Sequence, residues 1–74
     1  MELSRHEFRV ERREISYLRY IIESYDGMAL VRTIDPHEAQ IEIMIAPGCE
    51  SIVFELLESL RTDENIKLNL NKKL

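Results

Sequence analysis

Residues 39–60 read AQIEIMIAPGCESIVFELLESL, and the fold turns on the point where their period changes. In the first eight residues Ile41, Ile43 and Ile45 fall on one side and Gln40, Glu42 and Met44 on the other. Period two marks a strand with one buried face. After Pro47-Gly48 the pattern becomes helical. Counted from Ile52 at about 100° per residue, Leu56, Leu60, Val53 and Leu57 fall between roughly 40° and 140°. Pro47 or Gly48 marks the start of this helix, and Glu50 suits the positive end of its dipole. Cys49 falls near 60°, inside the apolar arc, so it is expected to pack as a small hydrophobe under the first turn. Phe54, at about 200°, lies off the arc and needs a cover from elsewhere.

Working outward, DPHE (35–38) reads as a turn, with Asp35 bonding the backbone ahead and Pro36 presetting φ. Before it, MALVRTI (28–34) reads as a second strand. REISYLRYIIESYDG (13–27) carries Ile15, Leu18, Ile21, Ile22 and Tyr25 on about a third of a helix circumference, and Asp26-Gly27 ends it. HEFRVER (6–12) alternates again, with Phe8 and Val10 on one face. Beyond the second helix, TDEN is a loop and IKLNL (66–70) a last short strand. Residues 1–5 and 71–74 are expected to fray. The order β-α-β-β-α-β is that of a ferredoxin-like α+β sandwich, one domain over 1–74. It implies a four-stranded antiparallel sheet in the order 4-1-3-2 with two helices on one face. Leu18, Ile22, Val53 and Leu56 should then bury against Val10, Ile41 and Ile43.

The chain has 74 residues, 32% charged and 45% apolar, with a net charge of −4. That composition fits a globular domain near the lower size limit for a self-sufficient core. One cysteine leaves no intramolecular disulfide and no multi-cysteine zinc site. Self-association is the expected supplement to stability. MELSRHEF lacks the apolar run of a signal peptide and no stretch is long enough to span a bilayer, so a cytoplasmic protein is expected. The acidic balance argues against nucleic acid as a partner.

The chemistry-bearing residues do not converge. His6, His37 and Cys49 are the only soft or borderline ligands, and the topology sends His37 to the far end of the sheet, about 20 Å away. No metal and no cofactor is expected. His6 reads as a solvated residue and His37 as a turn residue. Tyr17, Tyr20 and Tyr25 all belong to the first helix, whereas an RNA-recognition sheet carries its aromatics on strands. No HExxH, P-loop, GxGxxG or Ser/His/Asp signature occurs, and no catalytic residue is assigned. Arg12 and Arg13, at the start of the first helix, could face a small anion, although Glu11 and Glu14 flank them.

The uncovered sheet face is more informative. If Ala29, Val31 and Thr33 join the isoleucines, then Leu30, Arg32 and Ile34 lie outside with Met44, Glu42 and Gln40. Leu30, Ile34 and Met44, with Phe54, are the expected interface of a homodimer. Its second route would be the free edge of strand two.

Two passages, YDGMALVRTID (25–35) and IEIMIAPGCE (41–50), resemble a family of short bacterial proteins filed as a domain of unknown function, over roughly residues 8–60. That resemblance brings no catalytic residues. The element order is also similar to that of ACT regulatory domains, which pair their sheets and bind amino acids. It implies the alternative reading, a regulatory domain holding a small anionic metabolite near the loop after strand one. In this chain that loop is ERRE (11–14). It lacks the glycine of ACT ligand loops and the two cysteines of metal-carrier domains with the same order. The first reading is a self-associating interaction module without catalytic chemistry.

Overall fold

The computed structural model describes residues 3–25 and 27–70. Its elements are β1 (Ser4–Arg9), a 3-10 turn (Arg12–Glu14), α1 (Ile15–Glu23), β2 (Ala29–Asp35), β3 (Gln40–Ile45), α2 (Glu50–Asp63) and β4 (Asn69–Leu70). The strands form one antiparallel sheet in the order β2-β3-β1-β4. The inner strands are β3 and β1, and in β3 Ile41, Ile43 and Ile45 are fully buried. β-Branched residues fit a pleated, packed surface, and each such burial is worth about 1.5–3 kcal/mol.

The register assigns the faces, because directly paired residues share a side. Ile43 pairs with His6 and Val31, and Ile41 with Phe8 and Thr33. This inner face forms a single cluster with Leu18 and Ile22 of α1 and Val53, Leu57 and Leu60 of α2. The other face carries Arg5, Glu7 and Arg9 of β1, Gln40, Glu42 and Met44 of β3, and Leu30, Arg32 and Asp35 of β2.

Several boundaries depart from the periodic reading. β1 begins at Ser4, so Ser4 and Arg5, expected to fray, are paired strand residues. The Ser4 hydroxyl helps, donating to Glu50 on α2 at 3.3 Å. As a result His6 sits mid-strand on the inner face and is half-buried, where a solvated histidine was expected. Residues 1, 2 and 71–74, also expected to fray, lie outside the described residues, as does Asp26 at the end of α1.

Leu56 is only half-buried and Ile52 is exposed. The core side of α2 is centred on Leu60, Val53 and Leu57, at roughly 80–140° on the same count, so 40° and 0° fall on its flank. Tyr25 follows the end of α1 and is exposed. The expected fourth strand contracts to Asn69–Leu70. Asn65 takes a left-handed φ of 58°, and the Leu68 carbonyl accepts from Arg61 on α2. Ile66 and Leu68 are nevertheless buried. β2 alternates as expected up to Thr33, but pairing jumps from Thr33–Ile41 to Asp35–Gln40. Ile34 is the extra residue of this β-bulge.

The turn after β2 forms as read, with Asp35 Oδ1 accepting from the His37 and Glu38 N–H groups at 3.0 and 3.3 Å. Gly27 and Gly48 take φ of 77° and 85°, the left-handed conformation that glycine tolerates after α1 and before α2.

Candidate interaction surface

Leu30 and Met44 are direct cross-strand partners on the open face. Leu30 is 50% exposed and Ile34, in the bulge, 38%. Met44 is half-buried. Arg5 is the partner of Met44 on its other side. An apolar strip thus crosses β2 and β3 beside a charged one.

The centre of that charged strip is Glu42, only 5% exposed although it points away from the helices. Arg32, directly opposite, donates to its Oε1 at 3.1 Å. Arg5 places Nη1 3.7 Å from the same oxygen. Both arginine side chains remain about three-fifths exposed, so their charges stay in reach of water. Glu7 stands opposite Glu42 in register, and the arginines offset a like-charge pairing that would otherwise be unfavourable. Arg9 pairs with Glu38 at 3.3 Å at the rim. Sequence reasoning placed Glu42 on this face as an ordinary charged neighbour. The missed signal was its position on an inner strand with arginines opposite and diagonal.

Phe54 does not join this surface. It lies 41% exposed on α2, and its ring meets the His6 imidazole edge-on at 5.0 Å and 80°. His6 is on the inner face, so Phe54 and the Leu30–Met44 strip occupy opposite sides of the sheet.

The β2 edge carries a cap. Glu23 Oε2, from α1, accepts the Val31 N–H at 3.0 Å. A pairing strand would have to displace this carboxylate.

Arg12 and Arg13 diverge. Arg12 donates to the His37 carbonyl at 3.2 Å, across the β2–β3 turn, while Arg13 lies 3.6 Å from Glu11. Cys49 is half-buried and packs against the core. Among the described residues no group of three His, Cys, Asp or Glu side chains is placed to hold a metal. No described helix is long and apolar enough to cross a membrane.

A tie between the helices escaped the sequence reading. The Tyr17 hydroxyl donates to Glu64 at 2.6 Å, joining α1 to the end of α2. Its pKa is raised above the usual phenol value of 10.0, first by this hydrogen bond to a carboxylate, then by desolvation and by the charges of Glu64 and Glu14.

No curated protein and no solved structure matches the chain. Residues 8–63 match the model of a family described as Domain of unknown function (DUF4911). That match takes in both helices, β2, β3 and the last two residues of β1, well over half of the 74 residues, and the chain belongs to that family.

Proposed function

We propose that this is a small self-associating interaction module of ferredoxin-like topology, without catalytic chemistry of its own, that pairs through its open sheet face in the cytoplasm. The observation that carries the reading is the pairing of exposed Leu30 with half-buried Met44 next to a preformed Arg5–Glu42–Arg32 cluster. The sheet order, read from the β4 edge as 4-1-3-2, supports the ferredoxin-like assignment.

A second copy is the occupant that charge favours. The open face carries three arginines, Arg5, Arg9 and Arg32, against three acids, Glu7, Glu42 and Asp35, a balance of zero. The whole chain carries −4, all of which lies elsewhere. Two copies brought together by this face meet less like-charge repulsion than by most others. A two-fold contact also sets each Leu30–Met44 strip against its equivalent. The Glu23 cap on Val31 favours the face over the β2 edge.

Size sets the strength. Three strands at ~4.8 Å spacing and six residues at ~3.4 Å give a footprint of roughly 300 Å². A standard interface buries about 800 Å² per partner, so the association is weak and belongs at tens of micromolar and above. Sedimentation equilibrium should show a reversible dimer in that range. Met44→Glu should sediment as a monomer throughout, because it buries an unpaired charge at the contact. A wild-type chain that stays monomeric to millimolar concentration would refute the proposal.

A further inference from the structure

On the helix side of the sheet a groove of about 380 Å³ opens between β1, α2 and β4. Its volume lies within the usual range for small-molecule sites, about 300–1,000 Å³. Phe8 and Leu57 are its buried apolar residues, and Phe54 and Leu70, both exposed, also line it. Nothing in the open-face contact uses these side chains.

The polar groups of the groove sit apart along α2. Near Phe54 is His6, whose Nε2 is shut off from solvent and has no hydrogen-bond partner. A buried polar atom left unpaired is costly, and native structures rarely tolerate one without a reason. Seven residues further along α2 is Arg61, which lines the groove with Glu58. Seven residues of helix span about 10 Å. Arg61 donates one Nη2 bond to the Leu68 carbonyl. Glu58 lies 3.6 Å from Nη1, beyond hydrogen-bond length, and both side chains are about half exposed. A guanidinium has five N–H donors, so Arg61 retains donors for a carboxylate.

We propose that this groove binds an elongated organic acid, with its carboxylate on Arg61, an apolar chain along Phe8, Leu57 and Leu70, and a hydroxyl or amide at its far end bonded to His6 Nε2. Because Nε2 is closed off while the Phe54 ring lies against the imidazole, this binding mode requires that exposed ring to turn aside. The ligand supplies the partner that the histidine lacks and covers the two exposed apolar side chains.

The test is an NMR titration of the whole chain with three probes of one length: 8-hydroxyoctanoate, octanoate and octanol. Amide shifts should concentrate at residues 6–8, 54–61 and 70. The hydroxy acid should bind tightest, and octanol about tenfold weaker than octanoate, the scale of one charge-assisted hydrogen bond. Arg61→Gln should erase the preference for the acid over the alcohol. His6→Phe should erase the preference for the hydroxy acid over octanoate and leave the acid–alcohol ratio intact. The wild-type ranking decides the matter even where a variant fails to fold. Equal affinity for all three probes, or shifts centred on the Leu30–Met44 face, would overturn the proposal.

Discussion

Glu42 and Arg32 form a pair whose two halves should cost very different amounts to remove. The carboxylate side chain is 7% exposed and the guanidinium 60%. Glu42→Gln keeps an acceptor for Arg32 and leaves both arginines in reach of water. What it loses is an attraction between one buried and two wet groups, about 1 kcal/mol or less. Arg32→Ala leaves a buried carboxylate whose other arginine, Arg5, lies 3.7 Å away, too far for a hydrogen bond. Stripping a buried acceptor of its partner costs about 1–3 kcal/mol. In a domain of this size each kcal/mol moves Tm by about 4–8 °C. Urea melts of the two single variants and the double variant, at low micromolar concentration where the chain is monomeric, measure both terms. Arg32→Ala should be the more damaging change, and adding Glu42→Gln to it should recover part of the loss. If Glu42→Gln alone costs as much as Arg32→Ala, or the two effects simply add, the reasoning that Glu42 depends on its arginines for burial is refuted.

Tyr17→Phe should lower stability at pH 8, with the difference shrinking as pH rises past 10. The raised phenol pKa means that the bond to Glu64 contributes fully below the unfolded value of about 10 and is lost as pH climbs through the folded one; urea midpoints at pH 8 and 11 read the trend, and a constant gap would contradict it. Cys49→Ala should cost between a few tenths and about 2 kcal/mol by thermal melt, the price of a partly buried small group, and native Cys49 should react with a thiol reagent far more slowly than the unfolded chain; labelling at the unfolded rate would contradict the packing role.

Where the pattern was long and regular, the sequence was readable. Ile41, Ile43 and Ile45 alternate without interruption, and all three are buried. The turn at Asp35 was legible because its side chain bonds its own backbone two and three residues on. Features set by partners distant in the chain were not legible. Ser4 is drawn into β1 by Glu50, 46 residues away, and Ile34 enters a bulge that depends on the register with Gln40. Phe54 was identified as an apolar side chain off the core arc, but only the fold shows that it meets His6 and not Leu30. The groove was invisible for the same reason, since His6, Phe54, Arg61 and Leu70 share no local spacing. Arg12 and Arg13 are adjacent in sequence and yet part company, because the hydrogen-bond acceptor of Arg12 lies in the β2–β3 turn.

The open face is the centre of the functional account, and isotope-filtered NMR on an equimolar mixture of labelled and unlabelled chain, at hundreds of micromolar, tests it most directly. The Met44 methyl of one copy should show intermolecular contacts to Leu30 or Met44 of another, and these should vanish in Met44→Glu. Intermolecular contacts centred on Phe54 and Leu70, or none at that concentration, would contradict self-association through the sheet.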